Sequence, residues 1–218
     1  MLILVVDTST PAVTAAIAEF DGTTMSMPEG SVVVNPRAHG EQLAPLIQGE
    51  LAARGAVPGD VGAVVAGLGP GPFTGLRAGL VTAAAMAHAL DVPVYGVCSL
   101  DGIGAMTSGR VFVATDARRK EVYWAVYEDG VRVEGPEVAA PETLVERAKA
   151  ADGAYGDGVH RYADVLGVAP AGAPRYPHPG RLAWVARERI VAKEPSESLT
   201  PLYLRRPNVN IGGVQQRA

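Results

Sequence analysis

The segment Gly67-Leu68-Gly69-Pro70-Gly71-Pro72-Phe73-Thr74-Gly75-Leu76-Arg77-Ala78-Gly79 joins an apolar run, Val61 to Ala66, to a small-residue stretch that continues to about Leu90. A glycine-rich turn from a strand into a helix commonly holds phosphate, because amide N–H groups and the positive helix end converge there. Pro70 and Pro72 oppose that use, since neither has an N–H and each fixes φ near about −65°. The segment predicts a stiff strand-to-helix connection, poor in the donors that an anion nest needs. Its spacing also departs from the nucleotide fingerprints. No Gly-Lys-Ser/Thr follows Gly69, and Gly69-x-Gly71 leads to Phe73 and Thr74 rather than to a third glycine.

The chain repeats an order of signals. Leu2 to Val6 is apolar and ends at Asp7-Thr8-Ser9; Val13 to Phe20 reads as a second strand, and Asp21-Gly22 as a hairpin turn. Roughly a hundred residues on, Val111 to Thr115 ends at Asp116-Ala117-Arg118, followed by Val122 to Tyr127, Asp129-Gly130 and a short run from Val131 to Val133. Helical segments follow each unit: His39 to Arg54 and Thr74 to Leu90 in the first half, Pro141 to Ala150 and Arg181 to Lys193 in the second. Leu43, Leu46, Ile47 and Leu51 carry the three-to-four spacing of an amphipathic helix. The pattern predicts two ββαβα-type lobes of an α/β protein, 1–100 and 101–207, hinged near 98–110, with a polar tail at 208–218. The proline- and glycine-rich stretch from Ala169 to Gly180 reads as a surface loop leading into the helix that contains Trp184.

With 218 residues and 48% hydrophobic content, the chain can bury a core in each lobe. A net charge of −4 argues against autonomous nucleic-acid binding, which needs a concentrated basic face. Cys98 is the single cysteine, so no intrachain disulfide and no cysteine zinc site is expected, as suits a reducing cytoplasm. No apolar stretch approaches membrane-spanning length. None of the four histidines has another histidine four positions later, and no metal site is expected; His160 with Asp164 is the nearest pair. There is no Gly-x-Ser-x-Gly elbow, and a thiol beside the run Val94 to Val97 is expected to be buried and inert.

Two chemical readings stay open at the strand tips. Asp7, with Thr8 and Ser9, sits where a carboxylate and hydroxyls could order a magnesium-bound phosphate, or where an Asx turn could cap the strand. Asp116 has the same two roles, and the following Arg118, Arg119 and Lys120 either face an anionic ligand or lie on a solvated turn. On the helix after the proline loop, Gly75, Gly79 and Ala83 form a small-residue stripe that admits close helix packing, flanked by Leu76, Leu80 and Ala87. Within one domain or between partners, such a stripe serves equally. Arg77 lies in the first turn, where a cation opposes the helix dipole, and is expected to have an anionic or carbonyl partner.

Taken together, Asp7-Thr8-Ser9, the block from His39 to Ile47, the block from Gly69 to Arg77, the block from Asp116 to Trp124, and Pro201-Leu202-Tyr203-Leu204-Arg205 resemble the bacterial TsaB (YeaZ) family, in the family's order and over nearly the whole chain. Pro72 departs from the serine usual at that position. The resemblance implies the duplicated actin/Hsp70/sugar-kinase (ASKHA) fold, each lobe a mixed sheet with helices. It also implies a non-catalytic subunit, without catalytic residues of its own, in the machinery that forms N6-threonylcarbamoyladenosine next to the anticodon of tRNAs reading codons beginning with adenine. The implied partners are the catalytic TsaD subunit, TsaE in the larger complex, and a second copy when alone, with tRNA reached indirectly. The N-terminal lobe is the implied dimerisation unit, and Gly75, Leu76, Arg77, Gly79, Leu80, Ala83, His39 and Leu43 are the expected interface. Asp7, Thr8, Ser9 and Asp116 would be a vestigial nucleotide site. No cofactor is expected beyond ATP or ADP at that degenerate site or in the assembled complex. An autonomous nucleotide-dependent phosphotransferase of the same fold is the competing reading, and a metalloprotease is opposed by the missing histidine pair.

Overall fold

The apolar run at the N-terminus forms β1 (Leu2–Asp7), with every residue after Leu2 buried. The computed structural model describes residues 1–35 and 39–205, so the expected tail at 208–218 lies outside the described residues. β1 pairs antiparallel with β2 (Ala12–Glu19) and parallel with β4 (Val61–Gly67). β3 (Ser31–Val34) and β5 (Val94–Val97) flank these and complete the order β3-β2-β1-β4-β5. Continuous apolar strands mark a sheet covered on both faces, and alternate residues separate here into two cores. Leu4, Val6, Val64 and Ala66 pack with Leu43, Ile47 and Leu51 of α1 (His39–Ala52) and with Leu76, Leu80 and Ala83 of α2 (Phe73–Leu90). Ile3, Val5, Ala63 and Val65 face the opposite way.

The second half repeats the topology. Between the two halves lies α3 (Asp101–Gly104), inside the expected hinge. β6 (Arg110–Asp116), β7 (Val122–Glu128) and β8 (Val131–Ala139) form an antiparallel meander, and β9 (Gly153–Tyr155) pairs parallel with β6, giving the order β8-β7-β6-β9. β1 and β6 therefore occupy equivalent central positions, and Asp7 and Asp116 end them equivalently. This is the duplicated two-lobed arrangement that the repeat implied, with a mixed sheet and helices in each lobe. β8 runs to Ala139 rather than stopping at Val133. On one face of the sheet, Phe112, Ala114 and Trp124 meet Leu144, Ala148 of α4 (Val145–Lys149), Val159 of α5 (Asp157–Arg161) and Leu166 of α6 (Ala163–Leu166). On the other, Val111, Val113 and Tyr127 meet Cys98, Leu100 and Ile103 at the hinge.

The chain's last helix departs from the expected division at residue 100. The sequence order puts α7 (Pro179–Val191) in the second lobe, yet Leu182, Ala183, Ala186 and Ile190 pack with Ile3, Val5, Val65 and Tyr95 on the free face of the first sheet. The reason is geometric: α1 and α2 cover only one face, and an apolar sheet left half-covered needs another layer. Beyond α7 the chain stays with the first lobe. Glu197 N–H donates to Val94 C=O at 2.9 Å, and Leu202 N–H to Leu68 C=O at 2.8 Å, so residues 194–205 form a strap along the β5 edge.

Candidate functional site

The β1 tip is closed on itself. Asp7, 1% exposed, accepts from Ser9 N–H at 2.9 Å and Ser9 Oγ at 2.7 Å through Oδ1, and from Ser99 Oγ at 2.5 Å through Oδ2. Ser99 Oγ accepts in turn from Gly69 N–H at 2.9 Å, while Ser99 N–H donates to the Gly69 carbonyl at 2.7 Å. The proline loop is thus tied to the ends of β1 and β5. Gly71 lies so close to the Ser9 backbone that a Cβ there would collide with it. These contacts realise the Asx-turn reading of Asp7, with Ser9 as its local partner. Ser99 carries no local sequence signal for this role beyond its place beside Cys98, since its partners lie 30 and 92 residues away.

Thr8 explains the glycines of α2. Its Oγ1 donates to Gly75 C=O at 2.7 Å and accepts from Gly79 N–H at 3.0 Å, standing at the two groups that an uninterrupted helix pairs with each other. A Cβ on Gly79 would meet this hydroxyl. The expectation that Gly75, Leu76, Gly79, Leu80, Ala83 and Leu43 form a partner interface is therefore corrected: all six are buried inside the first lobe, and the small-residue stripe serves close packing against β1 and its turn. Arg77 is the member of that set on α2 that reaches the surface, and His39 opens α1.

The exposed side of α2 carries a different group. Phe73 is 47% and Val81 66% exposed, with Arg77 between them. The Arg77 guanidinium lies 3.7 Å from the Phe73 ring centroid, and its Nε donates to the Tyr203 hydroxyl at 3.0 Å. Tyr203 stacks on Phe73 at 5.2 Å between ring centroids. Arg77 therefore has aromatic partners rather than the expected anionic or carbonyl one. Tyr203, supplied by the strap, carries no local sequence signal for a contact with a residue 126 positions earlier.

The β6 tip faces a cleft between the lobes. A hollow of about 340 Å³ is lined by Thr10, Pro11 and Pro72 of the first lobe and by Asp116, Arg118, Arg119 and Arg161 of the second. Arg118, Arg119 and Lys120 all have positive φ, at 61°, 54° and 61°, a left-handed turn that costs about 1–2 kcal/mol per non-glycine residue. Local and distant bonds hold it. Asp116 Oδ1 accepts from Arg118 N–H at 3.1 Å, Glu121 N–H donates to Arg118 C=O at 3.0 Å, and Arg205 from the strap donates to Ala117 C=O at 2.8 Å and pairs with Glu121. The second carboxylate at this tip, Asp157, accepts from Asp116 N–H at 3.3 Å. Burial pushes its carboxyl up to about 6; the Asp116 amide and Arg175 oppose the rise, and the Asp116 charge adds to it. Of the four expected nucleotide-site residues, Asp7, Thr8 and Ser9 are thus enclosed and hydrogen-bonded, and Asp116 stands half-buried at the cleft.

Elsewhere, burial, with the Asp101 charge adding, pushes the Cys98 thiol up to about 12, which keeps it a thiol. His160 ends within α5 and Asp164 lies on α6, so the two do not share one helix face. A hollow of about 780 Å³ on the hinge side is lined by Asp101, Tyr127, Arg132 and Trp184, where Asp101 is already held by Arg132 at 3.3 Å and the Tyr127 hydroxyl at 2.7 Å. Among the described residues no helix is long and apolar enough to cross a membrane.

The chain is similar to known proteins in sequence and in fold. The family model described as TsaD, tRNA N6-adenosine threonylcarbamoyltransferase, matches residues 28–207. An uncharacterized protein of Mycobacterium leprae (strain TN) is 46% identical over 207 residues, 95% of this chain and 55% of that protein, so the chain spans about half the length of this relative. The tRNA threonylcarbamoyladenosine biosynthesis protein TsaB of Escherichia coli (strain K12) is 36% identical over 165 residues, 71% of this chain and 69% of that protein. The solved structure of YeaZ from Pseudomonas aeruginosa superposes with a TM-score of 0.74 at 29% identity, covering 93% of this chain and 99% of that one. Within the wider group that the TsaD model describes, this chain belongs to the TsaB (YeaZ) family.

Proposed function

We propose that the chain is a non-catalytic subunit in the biosynthesis of N6-threonylcarbamoyladenosine in tRNA, binding and activating a TsaD-type catalytic subunit through the exposed side of α2. The observation that carries this reading is the closure of the β1 tip. The carboxylate that a phosphotransferase of this fold would direct at magnesium and phosphate is buried and bonded to Ser9 and Ser99. The same closure counts against the autonomous phosphotransferase.

The binding surface we propose is Phe73, Arg77 and Val81 on α2, extended by Tyr203; His39 at the start of α1 belongs to the same proposal. Large exposed apolar side chains on a rigid helix are what a partner helix can bury. By binding the competent arrangement of TsaD, the subunit would shift that enzyme's population toward it, contributing binding free energy rather than reacting groups. Without TsaD the same side would pair two copies of the chain. TsaE joins the larger complex in the cytoplasm, tRNA is reached through TsaD, and ATP or ADP belongs to the assembled machinery rather than to Asp7, Thr8 and Ser9.

Co-purification tests the surface. Val81→Glu places a charge at an exposed position and is expected to leave the fold intact while removing TsaD from the purified complex. Undiminished co-purification of the folded variant would refute this interface.

A further inference from the structure

The strap ends on both lobes. Tyr203 lies against the exposed side of α2, stacked on Phe73 and bonded to Arg77 Nε. Leu202 N–H donates to Leu68 C=O, and the Leu202 side chain packs against the hinge-side core of the second sheet. Arg205 Nη1 donates to Ala117 C=O at 2.8 Å, while its Nη2 donates to Arg118 C=O at 3.3 Å and pairs with Glu121. The chain between these grips is stiff. Tyr203 N–H bonds to Pro201 C=O at 3.0 Å and Leu204 N–H to Leu202 C=O at 3.1 Å, the pattern of successive γ-turns, so a displacement of Tyr203 carries to Arg205.

The turn that Arg205 grips is held against its own preference. Arg118, Arg119 and Lys120 all have positive φ, which a non-glycine residue adopts at a cost. Two bonds close the turn, Ala117 N–H to Glu121 C=O and Glu121 N–H to Arg118 C=O, both at 3.0 Å. Arg205 shares the second acceptor and pairs with the residue that donates to it. The grip is itself opposed: burial, and next the Arg119 charge, lower the Arg205 guanidinium from its ordinary value. A strained turn held by an opposed cation is an element that a small change at the strap can release. We propose that Tyr203 and Arg205 couple partner binding on α2 to this left-handed turn of the second lobe. A partner that buries Phe73, Arg77 and Tyr203 fixes the strap, and the strap fixes the turn. Transmission to a partner rests on α2 being the partner's side; transmission between the lobes does not. By linkage, a partner that favours the held turn by some factor is bound more tightly by the held form by that same factor.

Amide hydrogen exchange of the isolated full chain tests transmission between the lobes. In Tyr203→Ala, the Glu121 amide is expected to lose protection at least about fivefold relative to the Asp129 amide, which bonds Gly109 C=O at the opposite end of the β6–β7 pair. Equal loss at both amides, or none at Glu121, would overturn the coupling. Titration with TsaD is the second arm. Arg205→Ala, a change made on the second lobe, is expected to weaken TsaD binding about fivefold. Thermal melting confirms the fold; should Arg205→Ala melt early, Glu121→Gln, on a side chain 37% exposed, replaces it with a weakening of at least about twofold. Unchanged affinity in the folded variant, with Val81→Glu still blocking the complex, would overturn coupling to the partner and leave the α2 surface standing. No binding of TsaD by wild type refutes that surface instead, and the exchange arm then decides transmission between the lobes.

Discussion

Arg77 and Tyr203, 126 residues apart, join the start of α2 to the chain's closing strap: Arg77 Nε donates to the Tyr203 hydroxyl at 3.0 Å. Two residues farther on, Arg205 grips the left-handed turn of the second lobe through Ala117 C=O and Glu121. The strap therefore connects the proposed partner surface with the inter-lobe cleft. Tyr203→Ala removes a stacking partner of Phe73 and an acceptor of Arg77, and is expected to destabilise the chain by about 1–2 kcal/mol in urea unfolding. Tyr203→Phe keeps the ring and is expected to cost less than about 1 kcal/mol.

Gly79 and Thr8 are coupled by space. Gly79→Ala pushes a methyl group against the Thr8 hydroxyl and is expected to cost about 2–3 kcal/mol. Thr8→Ala removes a bond to Gly75 and one from Gly79, for about 1–2 kcal/mol, but clears that space. A double-mutant cycle in urea is expected to show Gly79→Ala costing less in the Thr8→Ala background. Additive effects would mean that the hydroxyl does not hold Gly79 in place.

Ser99 links two elements that sequence separates. Ser99→Ala removes one donor from the buried Asp7 carboxylate and the side-chain acceptor of the Gly69 amide. The expected loss is about 3 kcal/mol, read from the midpoint of chemical unfolding. A loss below about 0.5 kcal/mol would mean that the proline loop is held without this network.

These contacts show where the sequence was readable. β1, β4 and β6 are continuous apolar runs, and the repeated order of signals ending at Asp7 and Asp116 makes two lobes legible in the sequence. The stiffness of the Gly67 to Gly79 connection followed from Pro70 and Pro72. The facing of Gly75, Gly79 and Ala83 did not, because a small-residue stripe fits an internal strand turn and an external helix equally well. Nor did the destination of α7, whose apolar residues fit either sheet. Tyr203, Ser99 and Arg205 act through partners 30 to 126 residues away, and only the folded chain brings those partners together.

Asp157 makes stability depend on pH. Its carboxyl is raised to about 6 in the fold against the ordinary 3.8, so the folded chain retains a proton that the unfolded chain has released. Stability from this group is therefore highest below about pH 4, falls as pH rises to about 6, and is constant above that. Asp157→Asn keeps an oxygen for the Asp116 amide and removes the buried charge. It is expected to stabilise the chain by about 2 kcal/mol at pH 8 and to match wild type near pH 4. Equal thermal stability of variant and wild type at both values would show that the carboxyl is not raised.

The central claim is that this chain enables a partner's chemistry without performing it. The most direct measurement is threonylcarbamoylation of tRNA reconstituted from TsaD, TsaE and TsaC, the enzyme that supplies threonylcarbamoyl-adenylate, with this chain present, absent, or replaced by Val81→Glu. Modification is expected only with the unaltered chain present, and none from the chain without TsaD. Full modification in its absence, or modification by the chain without TsaD, would contradict the account.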